Sequence, residues 1–409
     1  MQLDKLEVRK IGPIEEATLE FGGLTVFTGP QASGKSIALQ LLKLAIDNEH
    51  VLRTMVDKGL IWKGGTRQFF DLYLGSGMQS VWNRESSLRW QGEQLSLRTL
   101  TRPSGPEGHG RAARTITEEQ ALYIPAQRML CFRDGATRPF GDYRAGDPYV
   151  LREFSQHVHD IVHGELSKGA SQLFPKPQRL DEAIRDALAT HVFGGWQLSV
   201  DTAGNQRELV LTHKKDPAAD EQYPLRFLSW SSGQREFVPL LIGMYELMPA
   251  GAGSRRDPLR WAIIEEPESG LHPRAIGATM ALVYELIRRE YRVVLSTHST
   301  HVLDVVWGLR AMKEHGGGPD DALKLIELPS GRRTRAAGVA VLEAVSRVYY
   351  FERGSVVADI SALDPFSERQ EEASWGGLTA FADNAAQVVA GVVQRSQVAR
   401  EGSSARRVR

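Results

Sequence analysis

Residues 29 to 36 read GPQASGKS, set between a short β-branched and aromatic run, LTVFT (Leu24 to Thr28), and an apolar helical pattern, IALQLLKLA (Ile37 to Ala45). The order of strand, glycine-rich loop and helix gives these eight residues their meaning. A loop in that setting turns its backbone N–H groups inward and opens onto the positive end of a helix. Gly29 and Gly34 permit backbone angles and close approaches that a side chain forbids. Such a loop wraps the phosphates of a bound nucleotide. Gly29, Pro30, Gln31, Ala32, Ser33, Gly34, Lys35, Ser36 and the following Ile37 form the candidate nucleotide-binding set. Within it Lys35 reaches the outer phosphates, and the Ser36 hydroxyl is placed to ligate a bridging Mg²⁺.

The bulk numbers narrow the class. A chain of 409 residues, 42% hydrophobic, can bury one extended domain with an inserted lobe or two domains in sequence. Fifty basic residues balance fifty acidic ones, so no global positive field announces nucleic acid or an anionic membrane. The one cysteine, Cys131, excludes an internal disulfide, fits a reducing compartment and reads as a buried small apolar residue. There is no apolar run of about 18 residues, and the first ten, MQLDKLEVRK, mix charges from the start. The expectation is a soluble, cytoplasmic protein.

Leu3 to Phe21 reads as two strands around Gly12-Pro13. From about residue 60 to 125, runs such as QFFDLYLG and LRWQGEQLSLRTL, broken by RPSGPEGHGR (Arg102 to Arg111), predict antiparallel β structure with a flexible tip. Residues 148 to 192 are helical in pattern, and Trp196 to Lys214 is a hairpin turning at Ala203-Gly204-Asn205. Between Ser231 and Val306, helical stretches alternate with fully apolar strands, the mark of a parallel sheet covered on both faces. The expected division is 1–58 and 226–310 as the two parts of an α/β head, and 59–122 as the antiparallel portion. Residues 123–225 form a compact helical and hairpin lobe, and 311–409 an extension ending in an Arg-rich tail from Arg400. Within that extension, YYFERGSVVADI (Tyr349 to Ile360) reads as a late strand or a docking surface.

Four further segments carry candidate chemistry. WAIIEEPESGLHP (Trp261 to Pro273) delivers Glu265 and Glu266 at the carboxyl end of an apolar strand, where open α/β sheets bind ligands. Adjacent residues of an extended chain point to opposite sides. Glu265 is therefore assigned to the metal and Glu266 to the attacking water. Taken alone, the pair is equally an acidic turn closed by Pro267. SSGQREFVPLL starts a helix with Ser231, Ser232, Gly233 and Gln234, offering N–H groups and a hydroxyl to an anion, or simply an N-cap. VVLSTHSTHVLD ends a strand with His298, placed to bond a γ-phosphate or the water, or else a structural histidine. YIPAQR ends a short strand with Gln127, whose amide can reach a metal or the water.

In this order the five segments resemble the ATP-binding cassette (ABC) ATPases. Closest is the branch of SMC proteins, RecF-type repair ATPases and overcoming-lysogenization-defect (OLD) ATPases, and the resemblance covers roughly residues 1 to 310. GPQASGKS corresponds to Walker A, YIPAQR to the Q-loop, WSSGQRE to the signature, IIEEPESGLHP to Walker B with the D-loop, and STHS to the switch-histidine loop. Glu265 stands where Asp is usual, and Ser232 where transporters carry Gly. The resemblance implies an ABC-type P-loop NTPase head with a mixed β core and a compact α+β lobe, using ATP and Mg²⁺. It makes Glu266, His298 and Lys35 catalytic and Ser36, Gln127 and Glu265 metal-binding. Two heads, or a higher assembly built from them, would sandwich ATP, with Ser231, Ser232, Gly233 and Gln234 completing the site of the other copy.

With no membrane segment, no sustained heptads between Ser36 and Ser231 and no persuasive TOPRIM set after Val306, the chain resembles stand-alone OLD-, Septu- or PARIS-type ATPases. Those are anti-phage proteins paired with a separately encoded effector, a nuclease or toxin. The alternatives are a RecF-like repair ATPase and an ATP-gated scaffold with little turnover. The repair reading needs direct DNA binding, through Arg84, Arg89, Arg102, Arg111, Arg114 and the tail.

Overall fold

The chain opens with β1 (Asp4–Ile11) and β2 (Ile14–Phe21), then runs through β3 (Leu24–Thr28) into α1 (Lys35–Ile46). Next come α2 (Asn48–Asp57), α3 (Thr66–Tyr73), β4 (Trp82–Trp90), β5 (Glu93–Gln94) and α4 (Leu97–Thr101). The middle holds β6 (Ala121–Ile124), β7 (Phe132–Arg133), β8 (Ala136–Thr137), α5 (Tyr149–His163), β9 (Gln172–Phe174) and α6 (Glu182–His191). After these follow β10 (Trp196–Asp201), β11 (Glu208–His213), β12 (Leu225–Arg226), α7 (Ser232–Leu247), β13 (Trp261–Glu265), α8 (Pro273–Arg288) and β14 (Arg292–Ser296). The last part comprises α9 (Thr300–His315), α10 (Pro319–Leu325), α11 (Arg332–Glu343), β15 (Ser346–Tyr350) and β16 (Ala358–Asp359). This computed structural model describes residues 3–62, 65–102, 118–164, 172–201, 207–213, 224–251, 255–380, 382 and 384–394.

The central sheet has the order β16-β15-β3-β14-β13-β6, parallel throughout except for β16 at one edge. Its inner strands carry apolar residues at consecutive positions because both faces are covered. Phe27, Ile263 and Val294 pack on one side with α1 and the N-terminal strands, while Val26, Ile264 and Leu295 pack on the other with α7 and α8. Four parallel strands, β3, β14, β13 and β6, end beside one another. The loops that follow them are the segments singled out for chemistry. A second sheet, β2-β1-β4-β5, lies over the α1 side, and β12-β11-β10-β9 forms a third. Among the described residues, no helix is long and apolar enough to cross a membrane.

Four expectations are corrected. QFFDLYLG is not a strand: Thr66–Tyr73 is helical, and Phe69, Phe70 and Tyr73 all go into the core on one helix face. Adjacent Phe69 and Phe70 cannot share one side of a strand, and the Phe69 ring stacks on Tyr73 four residues on, one helical turn away. Leu97–Thr101 likewise forms α4, because Ser96 caps it by accepting from the Thr99 N–H. The strand expected in a separate portion, β4, instead pairs with β1 and extends the N-terminal sheet. The extension after residue 310 is no appendage, since β15 inserts beside the loop strand β3, with Val348 opposite Val26. The tip from 103 to 111, Arg114, the turn at 203–205 and the tail from Arg400 lie outside the described residues.

Candidate nucleotide site

The glycine-rich loop leaves β3 at Gly29 (φ 135°) and enters α1 through Gly34 (φ 107°), both in the region that favours glycine. At Gly29 a Cβ would also overlap the carbonyl oxygen of Phe351. Lys35 is only 6% exposed, and its ammonium donates to the carbonyl oxygens of Gly29 and Pro30, 2.8 Å each. Burial lowers its pKa to about 8, against the opposing pull of Glu266 and Glu265. Beside the loop lies a cavity of about 830 Å³. Gln31, Ala32, Ser33, Gly34, Lys35, Ser36 and Ile37 line it together with Glu266, Ser296 and His298.

The two carboxylates at the end of β13 diverge. Glu265 is 2% exposed; it accepts from the Tyr123 hydroxyl and from the Ala126 N–H at 3.0 Å, with the Ser36 hydroxyl close enough to act on it. Burial raises its pKa. A buried carboxylate beside the loop serine hydroxyl is a hard oxygen pair of the kind Mg²⁺ takes, so these residues fit that ion. Glu266 leaves the strand at φ 43° and turns its side chain to the cavity, where Oε1 lies 3.7 Å from Nε2 of His298. The pKa of His298 is lowered by burial and then by the charge of Lys35, which keeps the imidazole neutral and able to accept.

Lys35, Ser36, Glu266 and His298 thus converge, with Glu265 just beneath. Gln127 is exposed at the start of a 3₁₀ turn and does not line the cavity. Ser231 caps α7: its hydroxyl accepts from the Gln234 N–H at 3.2 Å, and the Gln234 side-chain oxygen Oε1 accepts from the Ser231 N–H at 3.1 Å. Ser231, Ser232, Gly233 and Gln234 do not reach the cavity of their own chain.

Three residues that sequence reasoning gave no role connect the parts. Arg128 is fully buried. Its guanidinium donates to the backbone oxygens of Glu265 (2.8 Å), Glu266 (2.9 Å) and Glu236 (2.9 Å), tying the segment after β6 to the backbone of both glutamates and to α7. Glu268 accepts from the Thr297 hydroxyl (2.6 Å) and the His298 N–H (2.8 Å), and so fixes the histidine loop to the loop after β13. Tyr123 positions Glu265. Only the burial of Arg128 and the folded contacts of Glu268 would have marked the first two, and neither is visible in residue type.

Residues 160–304 match the family described as "AAA domain, putative AbiEii toxin, Type IV TA system". The match takes in the helix cap at Ser231, both carboxylates and His298, and the glycine-rich loop before it completes the set in space. Over that stretch, about a third of the chain, the protein is similar to an AAA-domain family. No curated protein matches it. Among solved structures, the head is similar to an Smc head bound to the C-winged helix domain of ScpA (10% identity, TM-score 0.39, 88% of this chain and 97% of that one). The SMC head domain from Thermotoga maritima aligns at 11% identity and TM-score 0.31, over 88% and 98% of the two chains. An Smc head from Pyrococcus furiosus, with an extended coiled coil and bound to the C-terminal domain of ScpA, aligns at 11% and 0.35, over 88% and 96%.

Proposed function

We propose that the head binds and hydrolyses Mg-ATP in this cavity, and that two copies close head to tail over two nucleotides to control a separately encoded effector. One observation carries the reading: Lys35, Ser36, Glu266 and His298, distant in sequence, face one cavity of triphosphate size. Ser36 and Glu265 would hold the Mg²⁺, which neutralises charge on the phosphates. Lys35 exchanges its two carbonyl acceptors for phosphate oxygens. Glu266 orients a water and takes its proton, and His298 holds the γ-phosphate side of the site, its loop braced by Glu268. The exposed start of α7 is left free for a second copy, so Ser231 and Gly233 would supply a hydroxyl and N–H groups in trans. The description of the matched family as a putative toxin of a toxin–antitoxin system supports a role in prokaryotic anti-phage defence, where such heads gate a nuclease or toxin.

Turnover and mass, measured on wild type and Glu266→Gln with and without Mg-ATP, test the core of this reading. Glu266→Gln should bind ATP, lose about 10²–10⁴-fold in turnover and accumulate as a closed dimer. Wild-type turnover in that variant would remove Glu266 from its role.

A further inference from the structure

The wall of the cavity facing the glycine-rich loop is built by a segment far along the chain. After β15, the Phe351 N–H donates to Thr28 O at 2.8 Å, the Gly354 N–H to Pro13 O at 2.9 Å and the Val357 N–H to Glu16 O at 2.8 Å. These three bonds pin residues 351–357 between the end of β3 and the β1–β2 turn. Pro13 and Ile14 of that turn rest on Gly34, at the other end of the loop. The pinned segment therefore runs along the flank of the glycine-rich loop, and it presents Arg353 to the cavity.

The charges there are unequal in kind. Lys10, which also lines the cavity, is already paired with Glu15 at 3.2 Å and Glu85 at 3.1 Å. Lys35 is held by carbonyl oxygens. Among the described residues, Arg353 has neither an ion pair nor a hydrogen bond, although its side chain is exposed at a site shaped for a polyanion. A guanidinium left unpaired on a rigid backbone offers forked N–H donors that match phosphate oxygens.

We propose that Arg353 is a second cationic ligand of the nucleotide, binding its phosphate chain from the side opposite Glu266 and His298. The C-terminal strand thereby contributes directly to the site. This rests on the reading of the cavity as a nucleotide site. Its consequence is that affinity depends on the segment after β15 as well as on the loop after β3.

Calorimetric titration of the full chain with ATP, GTP and inorganic tripolyphosphate, each with Mg²⁺, tests it on wild type, Arg353→Ala, Arg353→Lys, Arg353→Glu and Lys35→Ala. Arg353→Ala should weaken all three by about 10-fold or more, Arg353→Glu further, and Arg353→Lys should recover part. The melting temperature without ligand should stay at the wild-type value, because among the described residues the exposed side chain makes no hydrogen bond and no ion pair. Wild-type affinity in Arg353→Ala, a loss for ATP that is absent with tripolyphosphate, or a loss matched by a lower melting temperature would each overturn the proposal. If wild type binds none of the three, or Lys35→Ala binds as wild type does, the nucleotide site itself is refuted, a distinct outcome.

Discussion

Lys35 is held by two carbonyl oxygens and a buried setting instead of by a carboxylate, and its pKa of about 8 has a measurable consequence. Below pH 8 the free site already carries the ammonium. Above it the free site holds a neutral amine, and a bound triphosphate restores the charge, so binding takes up a proton. The dissociation constant for Mg-ATP should therefore rise above pH 8, approaching roughly tenfold per pH unit. Titrations between pH 7 and 9.5 read this directly, and a flat profile would contradict it. Lys35, Ser36, Glu266 and His298 are legible in sequence because each stands at a fixed offset from a strand end. Arg128 and Glu268 are not legible, because they act on carbonyl oxygens and N–H groups brought near only by folding. Gln127, one residue from Arg128, attracts attention in sequence for an amide that the structure leaves exposed.

At the scale of elements, β15 decides how the loop strand is supported. Val348 is 0% exposed and opposite Val26 of β3, so one face of the segment belongs to the central core. Val348→Asp would bury a carboxylate there, and the free energy of unfolding in urea should fall by more than about 3 kcal/mol. A wild-type value would mean that β3 does not need this neighbour. The run SRVYYF is short and bounded by polar residues, so its sequence suits an edge hairpin as well as a central strand. Helix α3 was illegible for a related reason: QFFDLYL offers apolar spacings of one, three and four residues, and neighbours such as Trp62 select the helical face.

For the whole molecule, the question is whether one head is a finished site. The start of α7 does not line the cavity of its own chain, yet Arg128 joins the backbone of α7 to the backbone of both glutamates. Ser231→Arg introduced into Glu266→Gln should leave ATP affinity of the monomer intact and abolish the ATP-dependent dimer in a mass measurement. A dimer that persists would place the interface elsewhere. By itself the sequence determined the nucleotide loop, the alternation of apolar strands and helices and the two carboxylates with their histidine. Those features are local: they depend on residue types at short, regular spacings that folding does not alter. Only the tertiary structure decided that β15 joins the central sheet and that residues 351–357 bring Arg353 to the loop, and that Arg128 and Glu268 tie the segments after β6, β13 and β14 together. Some of these contacts join positions 29 residues apart, as with Glu268 and Thr297, and others 323 apart, as with Thr28 and Phe351, and what fixes them is which surfaces the core buries.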